Sequence, residues 1–228
     1  MTDIVIINGM DTREIGVTCT SLPPIQISQE RVSKILVPGR SGYLHVSDDS
    51  FESQIKTCGF FYDGESAAEV ARFLMSAETV IFSNEPDKIY SCSYGGNTDL
   101  ENTIFDWHEF NVSFECNPEK KEASPAEIIA TSGIVLLSPG NRKNRPTFEI
   151  TGSGTIVLTV GTQEVTLSDV SGTIIIDGEL QECYTSLGVS RNAYMTGEFP
   201  VLNPSEETAI SWTGTVTSVL IRPNWRWV

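Results

Sequence analysis

Two histidines, His45 and His108, are the whole supply of imidazole in this chain. A hydrolytic site needs a nucleophile, a base and an orienting acid within hydrogen-bond reach of one another, and neither histidine sits in such a constellation. His45 falls in a glycine-rich turn region and His108 on an alternating strand pattern, which fits structural or surface histidines. The acidic pairs Asp48-Asp49 and Glu206-Glu207 place neighbouring carboxylates on extended chain. Successive side chains diverge there, so both pairs read as solvated loop charge. No H-x-x-x-H or Cys/His cluster has zinc spacing, and no D-x-D-x-D-G loop suits calcium. Gly152-Ser153-Gly154 reads as a turn with no following helix to hold phosphate. The chain is expected to be no enzyme and to carry neither metal nor cofactor.

The five cysteines, Cys19, Cys58, Cys92, Cys116 and Cys183, are odd in number, widely spaced and never in a C-x-x-C. A disulfide-stapled domain would show an even framework. Reduced, mostly buried thiols in a cytosol-made protein are the expectation.

The elements that must position these groups are mainly strands. In Thr155–Val160, Ile156, Leu158 and Val160 share a face; Gly161-Thr162 offers a two-residue turn, and Val165 and Leu167 alternate on the return. Ile174-Ile175-Ile176, the turn candidate Asp177-Gly178 and Leu180 to Tyr184 predict a second hairpin. Thr208, Ile210 and Trp212 share a face before Thr213-Gly214 breaks the run. Trp225 and Trp227 share parity with Val219, Ile221 and Pro223, while Arg222, Asn224 and Arg226 point the other way, which predicts a docked terminal strand with one apolar face. Earlier in the chain, Ile4–Ile7 and Gly16–Thr20 read as strands, with Asn8-Gly9 as a turn after the first. One helix is expected at about Ser66–Ala77, with Ser66 and Glu69 at capping-box spacing and Ala67, Val70, Ala71 and Leu74 on one face. Thr79–Phe82, Ile89–Tyr94 and Phe105–Cys116 complete the strands of the first half. Asn117–Pro125 (NPEKKEASP) reads as a linker.

At 228 residues, 39% hydrophobic and 9% aromatic, the chain suffices for one large or two ordinary β domains. The linker divides it into domains 1–125 and 126–228. The net charge is −15, and the first domain holds twenty of the thirty acids against nine bases. Such a surface repels phosphate and argues against specific nucleic-acid binding. Ile4–Ile7 is short, follows Asp3 and has no basic flank, so no secretory signal is expected. Nothing approaches the roughly 20 apolar residues of a membrane helix, so no membrane anchor is expected either.

Several ordered stretches resemble the distal tail protein family of long-tailed bacteriophages. In the first half they are Ile6-Ile7-Asn8-Gly9, then the helix followed by Thr79–Tyr90 with its Asn84-Glu85-Pro86-Asp87-Lys88-Ile89-Tyr90 turn, and Val112–Pro118. In the second half they are Pro139-Gly140-Asn141, Arg145-Pro146-Thr147, Gly152-Ser153-Gly154, Ile176-Asp177, Gly197–Pro200 and the final strand. Asn203-Pro204-Ser205-Glu206-Glu207 departs from the glycine-asparagine pair frequent in the family, a change a loop absorbs.

The resemblance implies two β-sandwich-like domains, the first with one α-helix, the second galectin-like. It implies a structural role: a homo-oligomeric, usually hexameric ring at the tail tip, made in the host cytoplasm. That ring would join the tail tube protein to the tail-tip hub (tail-associated lysin) protein and to receptor-binding or accessory baseplate proteins around the DNA channel. The arm Ile25–Val46 is the candidate contact, through Ile25, Ile27, Val32, Ile35, Leu36, Val37 and Tyr43, around a Pro-Gly-x-x-Gly turn. It reaches a neighbour as a hairpin or folds as a hairpin within its own domain. A channel wall that lets genome pass would be acidic, without a cluster of Arg31, Lys34, Arg40 and Lys56; the same acidity equally suits surface solubility alone. The alternative role is an accessory carbohydrate-binding β protein that attaches a particle to a cell wall. Against it, residues 126–228 contain no histidine, and Trp212, the one candidate sugar stacker, shares parity with Ile210.

Overall fold

The computed structural model describes residues 3–62, 67–95 and 108–228. The protein is mainly β, and it divides into two compact units, residues 1–123 with Val228 and residues 124–227.

The first unit contains β1 (Val5–Ile7), β2 (Met10–Asp11), β3 (Val17–Ser21), β4 (Glu30–Leu36), β5 (Tyr43–Phe51), β6 (Gln54–Tyr62), α1 (Ala67–Met75), β7 (Thr79–Phe82), β8 (Lys88–Tyr94) and β9 (His108–Glu122). Its large antiparallel sheet runs β2-β1-β7-β8-β9-β6-β3. Alternation drives the packing. On β6, Cys58, Phe60 and Tyr62 point inward while Ile55 and Thr57 face out. They meet Val112 and Phe114 of β9, and Val70 and Leu74 of α1, in one core. The Ser66 half of the expected capping box and the Phe105–Trp107 start of the expected strand lie outside the described residues.

Asn8 fixes the first turn. It stands at φ 51° and Gly9 at φ 81°. The Asn8 side chain accepts from the Glu78 and Thr79 amides at 2.9 and 3.0 Å and donates to the Ser76 carbonyl at 2.7 Å. One amide thus ties the β1 turn to the segment between α1 and β7.

The stretch expected as a linker departs from that reading. Asn117–Glu122 continues β9, and Lys120, Lys121 and Glu122 pair with Tyr90, Ile89 and Lys88. The register shifts between Tyr90 and Cys92, and Pro118 lies within that irregularity. A residue without an N–H is tolerated at such a bulge.

The second unit contains β10 (Ile128–Ala130), β11 (Ile134–Leu137), β12 (Thr147–Val160), β13 (Gln163–Asp177), β14 (Glu182–Thr185), β15 (Met195–Thr196), β16 (Glu207–Arg222) and β17 (Arg226–Trp227). Its sheet runs β10-β16-β12-β13-β14, with β11 also on β16 and β15 also on β13. Gly161-Thr162 is the two-residue turn between β12 and β13, as Val160 pairs with Gln163.

The sequence suggested short strands here, and the structure corrects this. Gly152-Ser153-Gly154 is not a turn, and Thr213-Gly214 does not end a strand. Both are bent segments inside continuous strands, marked by register shifts. A Cβ on Gly152 would stand 2.3 Å from the Thr215 carbonyl oxygen, and one on Gly214 2.4 Å from that of Thr155. Close backbone approach at a bulge is what requires glycine. The strands curl there, and both halves of each turn their apolar faces to one core: Phe148 with Leu158, Ile176 with Val165, and Ile221 with Ile210. Trp212 packs half-buried against the same core.

The terminal strand is also interrupted. β16 ends at Arg222, because Pro223 has no amide to donate and Asn224 adopts φ 55°. The Asn224 side chain donates to the Arg145 carbonyl at 2.9 Å and to Thr147 Oγ1 at 3.2 Å. Trp225 is buried and Trp227 half-buried against the core. Arg226, expected on the outward face, is instead mostly buried and ion-paired to Glu179 at 2.8 Å.

Candidate interaction surface

The arm is a hairpin. β4 and β5 form a two-stranded sheet of their own and join no other strand among the described residues. Val37 to Gly42 turn the chain, with Gly39 and Gly42 at φ 79° and 83° and the Arg40 amide donating to the Val37 carbonyl at 3.2 Å. Cross-strand partners share a face, and the register pairs Ile35 with Leu44 and Ser33 with Val46 on one side. Leu36 pairs with Tyr43 on the other, which also carries Val32.

These side chains are in water. Ile35 is 47% exposed, Leu36 69%, Tyr43 56% and Leu44 41%. Of the candidate contact residues, the hairpin gathers Val32, Ile35, Leu36 and Tyr43. Val37 is half-buried in the turn, and Ile25 and Ile27 lie exposed on the approach to β4. Leu44 and Val46 belong to the same apolar face and were not singled out from the sequence. Their signal was the alternation Leu44-His45-Val46 opposite Ile35.

The root of the arm is held firmly. The Glu52 amide donates to the Gln29 carbonyl at 2.8 Å, and Arg31 pairs with Glu52 at 3.1 Å, closing the hairpin's base. Asn84 donates to the Pro23 carbonyl at 2.9 Å. Buried Gln54 donates to Ser28 Oγ, which itself lies 3.5 Å from the Pro118 carbonyl.

Beneath this root sits a charged cluster. Lys56 is 1% exposed. Its Nζ lies 3.5 Å from the Pro24 carbonyl, 4.7 Å from the centre of the Tyr90 ring and 5.9 Å from that of Phe82. Glu85 accepts hydrogen bonds from Lys120 and from the Tyr90 hydroxyl. Burial lowers the Lys56 pKa, and the Glu85 carboxylate partly opposes this. Burial raises that of Glu85, but the hydrogen bonds from Lys120 and Tyr90 outweigh it and hold the carboxyl below its ordinary value. Lys56 is thus no surface residue of this chain. Sequence reading missed this cluster, although Lys56 shares the parity of buried Gln54, Cys58 and Phe60.

Among the described residues, no group of three or more His, Cys, Asp or Glu is placed to hold a metal ion. No described helix is long and apolar enough to cross a membrane, which says nothing of strands.

No family model and no curated protein matches the sequence. Comparison of folds does find a match. The crystal structure of the Dit protein of phage SPP1, described as a paradigm of the hub adsorption apparatus of phages infecting Gram-positive bacteria, aligns over 100% of both chains with a TM-score of 0.77 at 13% identity. This chain has the Dit fold.

Within the Dit fold, the short motifs that carried the resemblance act as fasteners. Asn8 ties the first turn, and Tyr90 closes the 84–90 turn onto Glu85. The Gly178 amide donates to the Pro146 carbonyl at 3.1 Å, and Asp177 Oδ1 accepts from the Glu179 and Leu180 amides. Buried Asn144 donates to Ser138 Oγ at 2.7 Å and accepts from the Arg226 amide at 2.7 Å. Gly140 lies directly against Arg226, where a Cβ would stand 2.1 Å from the carbonyl oxygen. Gly140→Ala must displace the backbone that carries Trp225 and Trp227. It is expected to cost about 2 kcal/mol, read as a lower midpoint in thermal unfolding with a broadened tryptophan fluorescence transition.

Proposed function

We propose that this protein is a structural subunit of a phage tail tip that closes into a ring, with six copies as the expected number. The observation that carries the reading is an apolar hairpin that joins no other strand among the described residues, on a chain with the Dit fold along its whole length. Isolated two-stranded hairpins are marginal in water, and exposed apolar strands with open edges invite pairing with another chain. A neighbouring copy that covers β4 and β5, each arm laid on the next subunit, satisfies both demands. Contacts of this head-to-tail kind form rings when the rotation closes.

In this role the ring joins the tail tube to the tail-tip hub, and receptor-binding or accessory baseplate proteins attach at its periphery. The chain acts by assembly rather than catalysis. Its acidic balance, thirty acids against fifteen bases, suits a channel through which DNA passes without adhering. Attachment through carbohydrate gains no support from Trp212, which is packed against the core of the second unit.

The deciding experiment is solution mass and negative-stain microscopy of the purified protein at high concentration, alongside a glycan array. Closed rings without sugar affinity are the expected result. A strict monomer that binds glycans would overturn the assignment in favour of an attachment protein.

A further inference from the structure

The structure assigns a disulfide-forming site to Cys92 and Cys116. The two residues stand directly opposite each other on β8 and β9. The rung type follows from the neighbouring backbone bonds. The Gly95 amide donates to the Ser113 carbonyl at 2.8 Å, so the Gly95–Ser113 rung is hydrogen-bonded. Rungs alternate between bonded and unbonded in an antiparallel pair, and Cys92–Cys116 lies three rungs away. The Cys92 amide confirms this phase, since it donates at 2.8 Å to the Glu78 carbonyl, on the side away from β9.

Cys92 and Cys116 therefore occupy a narrow, unbonded rung. There the Cα atoms stand about 4.5 Å apart with side chains close, inside the range of about 4.4–6.8 Å that a disulfide spans. Each thiol is the largest electrostatic influence on the other. Cys92 is half-buried and within reach of solvent, whereas Cys116 is fully buried behind it. The pair has an entrance and a resolving partner.

Their electrostatics set the order of events. The hydrogen bond with Cys116 lowers the Cys92 pKa below its ordinary value, and the same bond, with burial, pushes Cys116 up. Cys92 is thus the attacking thiolate. It attacks one sulfur of a low-molecular-weight disulfide, whose S–S bond breaks and whose first thiolate leaves with the proton Cys92 gave up. Once Cys92 is a mixed disulfide, the hydrogen bond and negative charge that held Cys116 up are gone, and the burial that still raises it is opposed by the Lys56 ammonium. Cys116 then loses its proton and attacks Cys92 Sγ, expelling the second thiol. Two protein thiols and one small disulfide become one protein disulfide and two small thiols, with two electrons passed to the small molecule.

The site stands independently of the tail-tip role, and only its timing rests on that reading. A pair kept reduced during synthesis would close when the particle leaves the reducing cytosol.

The test incubates the full chain with oxidised glutathione, then applies intact mass measurement, non-reducing peptide mapping and thermal unfolding. Expected are loss of two hydrogens, a cross-linked peptide pair containing Cys92 and Cys116, and a midpoint raised by roughly 5 °C or more. Cys92→Ser and Cys116→Ala should each abolish the cross-link, and Cys116→Ala should stop at a glutathione adduct on Cys92. A stable adduct on Cys92 in the parent chain, or a cross-link between Cys19 and Cys58 instead, would overturn the proposal. So would an unreacted parent chain.

Discussion

Ile35→Asp combined with Leu44→Lys is expected to leave the protein folded and monomeric. The two residues face each other across the hairpin, so the introduced charges form a favourable cross-strand pair that keeps β4 and β5 together. What disappears is the apolar face. Full burial of a side chain of this size stabilises by about 1.5–3 kcal/mol. With about half of each side chain exposed before contact, losing two per contact weakens association by roughly tenfold to a hundredfold. Gel filtration and circular dichroism, run against the parent chain at the same concentration, separate the two effects. If the variant assembles as the parent does, the arm is not the contact and assembly proceeds through another surface.

Glu85→Ala should be the most damaging single substitution in the charged cluster, at about 3–5 kcal/mol. Glu85 is the carboxylate that Lys120 contacts and the one whose charge supports Lys56. Its removal leaves two ammonium groups in poorly solvated positions with no counter-charge from this residue, and takes the acceptor from the Tyr90 hydroxyl. Tyr90→Phe, which deletes only that hydroxyl, should cost about 1 kcal/mol.

The pH dependence distinguishes this account from simple loss of packing. The folded Glu85 pKa lies below its ordinary 4.5, so its contribution is complete above that value and fades as pH falls through the folded pKa. The parent should show this acid limb and the Ala variant should lack that part of it. Lys56 works at the other end. Its folded pKa lies below the ordinary 10.5, so between the two values the unfolded chain binds more protons and stability rises with pH. Without Glu85 the cost of charging Lys56 grows. Raising the pH towards 10.5 should therefore rescue Glu85→Ala more than the parent. Urea unfolding at pH 4, 7 and about 10 measures both limbs.

Much of this fold was readable from alternation. Thr79–Phe82 emerged with its bounds, and the Gly161-Thr162 hairpin with its turn, because a two-residue glycine turn and a period of two are local signals. The features that escaped were those in which distant backbone decides. Glycine before Ser153 reads as a stop until Thr215 is known to cross it within van der Waals distance. Pro118 reads as a strand breaker until the bulge opposite Tyr90 and Cys92 absorbs it. Lys56 reads as surface charge because its partners lie 29 and 34 positions away, at Glu85 and Tyr90. The apolar arm was visible as composition, yet which side chains share its faces depended on a register that only the paired strands display.

The curled strands of the second unit have a mechanical consequence. β12, β13 and β16 each supply residues on both sides of their shared bend to the same core, so covalent backbone crosses the corner three times in adjacent strands. Two stacked sheets held by side-chain contact alone can shear past each other under load. Here that sliding is tethered by main chain, and a pull along the strands must first unzip long ladders of backbone hydrogen bonds. A domain built in this way resists extension by its connectivity, apart from how tightly its core is packed.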